Sequence, residues 1–164
     1  MIARRAASVI LAGAVALGMT GCSFIATQAT LIPYQPSDGV AATAGDIEVH
    51  NAIALSADGT DVALVLNIVN NGSPAIVTFQ VTDAAGEKVD KTVYAAAGLS
   101  SVGNTGDDQL VFENVGVTVG SLLPVYLVDP GKAGEGVLVP VLDGTLPEYA
   151  PLLPLEKVDA ATTE

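Results

Sequence analysis

From Asp46 onward the chain is a succession of short apolar stretches, each closed by turn-forming residues at intervals of roughly 8–12 residues. That rhythm constrains the fold more than any other feature. "DIEVHNAIAL" (Asp46–Leu55) alternates, with Ile47 and Val49 on one face and Asp46, Glu48 and His50 on the other. Ile53 and Leu55 are expected to rejoin the face of Ile47 and Val49. Asn51 falls on that face too and marks a bulge or a strand break. "SADGTD" (Ser56–Asp61) is turn chemistry. "VALVLNIV" (Val62–Val69) is apolar on both faces and reads as a central strand. After the "NNGSP" turn, "IVTFQVT" (Ile76–Thr82) is one-sided, with Val77, Phe79 and Val81 inward. "DAAGE" then turns into "KVDKTVY" (Lys88–Tyr94).

Ala95–Asp108 is small and glycine-rich and is expected to be a crossing loop. "QLVFE" (Gln109–Glu113), "VGVTV" (Val115–Val119), "LLPVYLVD" (Leu122–Asp129) and "GVLVPVLD" (Gly136–Asp143) complete the set of strands. Pro124 and Pro140 cannot donate to a ladder, so each marks an edge, a strand end or a bulge. No stretch after residue 21 has helical periodicity. The fold class is therefore all-β: a single immunoglobulin-like Greek-key β-sandwich of about seven or eight short strands, with flexible tails. Residues 46–143 form the sandwich domain, long enough for one core. Residues 144–164 are a proline-rich C-terminal segment whose leucines pack on the domain until about Leu155, with a disordered end.

The N-terminus has a different character. Two arginines, Arg4 and Arg5, precede an almost wholly small or apolar run from Ala6 to Leu17. A charged start, a short apolar core and small residues before a cleavage point define a secretory signal. The core is too short for a membrane span, which needs about 20 residues. Thr20-Gly21-Cys22 resembles the lipobox of bacterial lipoproteins, with Met19 where Leu is usual. That resemblance implies a diacylated Cys22, cleavage ahead of it, and division of the leader region into a lipoprotein signal peptide (1–21) and a lipidated tether (22–45). The alternative is a plain signal peptide cut nearby. A disulfide is excluded because Cys22 is the single cysteine. A catalytic thiol would want a nearby base, and the chain has one histidine. Two acyl chains on one residue suffice for stable anchoring. The implied location is the extracytoplasmic face of the cell membrane.

Without Arg4 and Arg5 the six basic residues become four, against 18 acids, and the formal charge goes from −12 to −14. Nucleic acid is excluded as a partner, because phosphates want Lys and Arg. Attachment to anionic lipid through a basic patch is excluded likewise. Both methionines precede Cys22, so the mature chain holds none.

Motifs for catalysis or cofactors are missing: no G-x-S-x-G, no H-E-x-x-H, no phosphate loop with Lys, no paired cysteines. His50, in a strand beside Glu48, reads as a surface histidine rather than the base of a triad. Asp58 and Asp61, with Asp107 and Asp108, sit in glycine-rich loops. They read as turn-forming acids; the other reading is a calcium site, which wants six to eight oxygens. Asp58, Asp61 and Glu113 are the acids an enzyme would have to use. Tyr94, Tyr126 and Tyr149 read as half-buried core residues, or else as pieces of a binding surface.

The lipobox, "TLIPYQPSDGVAATAGDIEVHNAIAL" (30–55), "NIVNNG" (67–72), "VTVGSLLPVYLV" (117–128) and "VPVLDGTLPEYAPLLP" (139–154) together resemble the LpqE-like small lipoproteins of actinobacteria. Those are similar, at fold level, to the periplasmic copper chaperones of the PCu(A)C type. The resemblance implies a cell-envelope location and a β-sandwich. The chaperones hold Cu(I) with His and Met; here His50 stands without any Met, so the copper motif is absent and its function is not carried over. The expected function is a non-catalytic envelope lipoprotein with no cofactor. It would be attached to the membrane through Cys22 and bind a protein or envelope component through a sandwich face or edge strand. The alternative is metal handling, by copper or calcium.

Overall fold

The computed structural model describes residues 36–104 and 109–155, together with positions 5, 10, 30 and 34. Cys22, with nearly all of the expected signal peptide and much of the tether, lies outside the described residues. The chain divides into two units, Met1–Tyr34 and Gln35–Glu164. All the strands among the described residues belong to the second.

They are β1 (Val40–Ala44), β2 (Ile47–Leu55), β3 (Val62–Asn70), β4 (Ala75–Thr82), β5 (Lys88–Ala95), β6 (Gly98–Val102), β7 (Leu110–Phe112), β8 (Leu122–Val128) and β9 (Glu135–Leu142). The fold is all-β, as the alternation requires, with nine strands where seven or eight were expected. Three differences account for the count. Val40–Ala44, read as the end of the tether, is β1 and pairs antiparallel with β2. Its "VAATA" has too little apolar contrast to announce a strand. Gly98–Val102, read as loop, is β6 and covers the outer edge of β3 from Leu66 to Asn70. Its glycine and two serines disguise it. Val115–Val119, read as a strand, is not one. Its backbone bonds instead to the β2–β3 loop, Val115 N–H to Thr60 O at 2.7 Å and Val117 N–H to Gly59 O at 2.8 Å. Gly116, at φ +69°, breaks the extended run.

The strand order is β5-β4-β8-β9-β2-β3-β6. β2 gives one edge to two short partners in tandem, β1 along Ile47–Ala52 and β9 at Ala54–Leu55. β3 does the same with β6 and β7. The β2–β9 pairing is parallel and joins the two layers into one curled sheet. Between the layers lies the main core: Ile47, Val49, Leu64, Leu66, Ile68 and Phe112 from one side, Val77, Phe79, Val81, Leu123, Val125 and Leu127 from the other. Both prolines end a ladder, as expected. The β4–β8 pairing stops at Val125, before Pro124, and the β2–β9 pairing starts at Val141, after Pro140.

Asn51 is a bulge. His50 faces Asn67 and Ile53 faces Val65, so Asn51 and Ala52 together oppose Leu66. Asn51 takes φ +52°, and its Oδ1 accepts the Gly39 N–H at 3.2 Å. The extra residue reverses the facing of the rest of β2. Ala52 and Ala54 enter the main core, and Ile53 and Leu55 point the other way. The expectation that Ile53 and Leu55 share a face with Ile47 and Val49 is therefore corrected. They form a second cluster with Val65, covered by Leu142, Tyr149, Leu152 and Leu153. The C-terminal segment is thus a strap over the outer face of β2 and β3. Gln109 clamps it: Nε2 donates to Leu152 O at 3.2 Å and Leu153 O at 2.8 Å, and Oε1 accepts the Leu155 N–H at 3.1 Å. Of the segment's leucines, Leu152 and Leu153 pack on the domain, while Leu146 and Leu155 are exposed; residues 156–164, expected to form a disordered end, lie outside the described residues.

Candidate functional site

Of the acids and the histidine singled out in the sequence, His50, Asp58 and Asp61 make local bonds at the surface. His50 Nε2 meets Glu48 Oε2 at 3.3 Å, both side chains about two-fifths exposed, 37% and 41%. Glu48 also accepts from Asn71 Nδ2 at 2.9 Å. Asp58 Oδ1 accepts the Thr60 N–H at 2.8 Å, which holds its carboxyl below the usual carboxylate range. Asp61 Oδ1 accepts the Asn114 N–H at 2.9 Å. Ser56, fully buried between them, donates to Asp61 O at 2.6 Å and accepts from Gly59 N at 2.9 Å. These are the bonds of a closed loop, as the turn reading required. Glu113 follows β7 and is exposed. Asp107 and Asp108 lie outside the described residues, as does Cys22. Among the described residues no three His, Cys, Asp or Glu side chains converge, and no helix is long and apolar enough to cross a membrane.

The tyrosines do not share one environment. Tyr149 is part of the second cluster. Tyr94 and Tyr126 are 62% and 44% exposed and belong to neither core cluster, which of the two expectations leaves the surface one. Tyr126 belongs to the outer face of the β4–β5–β8–β9 layer. On β8, Leu123, Val125 and Leu127 point inward, while Leu122, Pro124 and Tyr126 point out. The cross-strand partners of those three on β9 are Pro140, Leu138 and Gly136. Leu122 is 55% and Leu138 is 53% exposed. Gly136 offers no side chain and Gly134 lies against the Tyr126 ring, so the ring stands beside an open hollow. The result is a groove of 470 Å³ with Pro124, Tyr126 and Leu138 as its floor and Gln80, Thr82 and Lys88 on its polar side. Gln80 is itself held by Asp90, through Nε2 to Oδ1 at 2.7 Å.

This surface was legible and missed. "LLPVYLV" and "GVLVPVL" are apolar at odd and even positions alike. A strand of that kind has either a second layer above it or an exposed apolar face, and the second holds here.

The edge of this layer is guarded. β5 has no partner beyond β4 in the strand order. Lys91 sits opposite Phe79 on the inward-facing side of β5, between Val89 and Val93. An inward-pointing charge on an edge strand opposes further strand addition. The exposed apolar surface of this layer lies on its outer face and not along its edge.

The two ends of the sandwich differ in charge. At the end holding the β1–β2 and β8–β9 turns, Lys132 Nζ bonds Asp46 Oδ2 and lies 3.4 Å from Asp129 Oδ2. The Asp46 hydrogen bond, then Asp129, raises the lysine's pKa. Asp129 is buried and also accepts the Asp46 N–H at 3.3 Å. That end is a clasp in which one lysine offsets one of two aspartate charges. At the other end an open groove of 460 Å³ lies between Asp38, the Val119–Gly120 stretch, Val141–Asp143, Leu146 and Tyr149. Tyr149 Oη donates to Asp38 Oδ2 at 2.5 Å; that bond, reinforced by burial and the acid's charge, pushes the phenol up to about 12. Asp143 is held below the usual range by Thr145, whose N–H it accepts at 3.1 Å.

No protein-family model and no curated protein matches this sequence. Six chains of solved structures are similar to it, two PCuAC domains among them. One, an apo PmoF2 PCuAC domain, has a TM-score of 0.47 at 14% identity, over 65% of this chain and 98% of that one. The other, a copper-bound PCuAC domain from PmoF2, has a TM-score of 0.41 at 16% identity, over 63% of this chain and 98% of that one. At those values the likeness assigns no residue of this chain a role.

Proposed function

We propose that the chain is a non-catalytic lipoprotein of the cell envelope. Cys22 holds it at the membrane, and the outer face of β8 and β9 binds an envelope protein or component. The observation that carries the reading is the exposed row Leu122, Pro124, Tyr126 and Leu138 beside a polar rim. Contiguous exposed apolar surface with such a rim is the usual form of a contact site. His50, Asp58 and Asp61 are engaged in loop and surface bonds, which supports a binding role over general acid–base chemistry. Metal handling, the second reading, has no converging donor set among the described residues to rest on.

Two experiments test the proposal. Cys22→Ala should release the chain from the membrane fraction, and unchanged retention would remove the anchor from the reading. A photo-crosslinking residue placed at Leu138 in the full chain, in cells, should capture one dominant partner, whereas the same probe at Leu99 should not. Equal capture at both positions would show that the β8–β9 face is not the contact.

A further inference from the structure

From the end groove between Asp38, Gly120, Asp143, Leu146 and Tyr149, we propose a second binding site, separate from the β8–β9 face, that takes a basic segment of a partner protein with an apolar residue beside its Lys or Arg. The groove has the size of a ligand site. Its apolar lining is supplied by Val119, Leu142 and Leu146. Gly120, at φ +86°, has open space where a side chain would stand, so the floor is accessible. Its charged lining residues are carboxylates, Asp38 and Asp143, and no Lys or Arg lines it.

Charge complementarity selects the occupant. The described lysines lie elsewhere: Lys132 is held in the opposite clasp by Asp46 and Asp129, and Lys88 and Lys91 are on β5. Local charge and the overall charge of −12 therefore agree at this groove. A basic segment is steered toward the domain by its whole field and finds carboxylates at the rim. The β8–β9 groove lacks this agreement, since Lys88 there would call for an anion that the rest of the domain repels. The apolar floor adds a second requirement. A bare cation would leave Leu146, 46% exposed, as wet as before, whereas an adjoining apolar side chain covers it.

The test uses the purified full chain with methyl-labelled Val and Leu, titrated with a synthetic peptide of alternating lysine and leucine. A matching glutamate–leucine peptide is the control. Methyl signals of Val119, Leu142 and Leu146 should shift with the first peptide and not with the second. Asp38→Asn with Asp143→Asn keeps oxygen acceptors for Tyr149 and Thr145 while removing both charges. It should weaken binding about tenfold or more at low salt and flatten the salt dependence. Leu146→Asn, with the charges intact, should weaken it as well. Three outcomes overturn the proposal. One is no binding up to about 1 mM. Another is affinity unchanged in the double Asn variant or in Leu146→Asn. The third is shifts spread over the surface or centred on Leu122 and Leu138, which would leave the β8–β9 proposal standing and this one refuted.

Discussion

Leu55→Ala tests whether the strap is part of the folded domain. Leu55 is 0% exposed and is covered from outside by Leu142, Tyr149, Leu152 and Leu153. The substitution removes three carbons, worth about 0.8 kcal/mol each, hence about 2.4 kcal/mol in transfer. A residual hole of about 50 Å³, at about 24 cal/mol per Å³, adds about 1.2 kcal/mol. The expected loss is about 3–4 kcal/mol. The control is Leu138→Ala, of identical chemistry at a site 53% exposed, where the loss should stay below about 1 kcal/mol. Urea unfolding of the full chain reads both. With a slope of about 2 kcal/mol per M, Leu55→Ala should bring the midpoint down by roughly 1.5–2 M and leave the slope alone. A Leu55→Ala midpoint no lower than that of Leu138→Ala would mean that the strap does not bury Leu55, and the two-cluster description would fall with it.

Three further outcomes follow from local geometry. Gly59→Ala should cost more than Gly86→Ala in thermal melts, by more than about 1 kcal/mol. Both sit near φ +85°, but a Cβ at Gly59 would lie 1.8 Å from Val117 O while one at Gly86 meets open space. At the bulge, Asn51→Val should cost more than about 2 kcal/mol, combining left-handed strain with the lost Gly39 bond; Asn51→Gly, which loses the bond alone, should cost about half as much. Tyr149 is pushed up to about 12 by Asp38, so folding favours the protonated phenol. Its contribution is complete below the unfolded value near 10 and disappears as pH rises through about 12. Stability measured from pH 9 upward should therefore fall more steeply across that window in the parent than in Tyr149→Phe, where Lys132, whose pKa is also raised, still titrates; identical profiles would refute the Asp38 bond.

What the sequence made legible follows from how many forces act on each element. β3, β4, β8 and β9 have inward faces filled by Val, Leu, Ile or Phe, and an apolar run between turn residues is enough to find them; β5 is found by its alternation, with Lys91 between Val89 and Val93 on its inward side. β1 and β6 are held mainly by ladder bonds to β2 and β3. Ladder bonds leave no trace in the residue types of "VAATA" and "GLSSV". "VGVTV" fails for the opposite reason. It has β-branched residues in alternation, yet its partners are loop carbonyls of Gly59 and Thr60, which a one-dimensional pattern cannot see. The bulge at Asn51 was visible as a polar residue in an apolar phase. Its consequence was not, because only the register with β3 shows which half of β2 changes face. The candidate surfaces were half legible. The doubly apolar pattern of β8 and β9 marks an exposed face, while the end groove joins Asp38 to Tyr149 across 111 positions of sequence.

The end groove depends on the bulge through the strap. One extra residue at Asn51 turns Ile53 and Leu55 away from the main core. Left there, two large apolar side chains would be wet, and the proline-rich segment returns across them. In returning it places Leu146 and Tyr149 opposite Asp38 and so builds one wall of the groove. A lesion under the strap should therefore weaken peptide binding without touching a lining residue. In Leu55→Ala the groove exists only while the strap is docked, and the apparent affinity falls by the docked fraction. Hydrogen exchange reads that fraction independently, at the amides of Tyr149 and Leu152, which donate to Leu146 and Tyr149 carbonyls at 3.0 and 2.9 Å. The two readouts must move together. Lost amide protection with unchanged affinity for the lysine–leucine peptide would separate the groove from the strap and refute this chain of dependence.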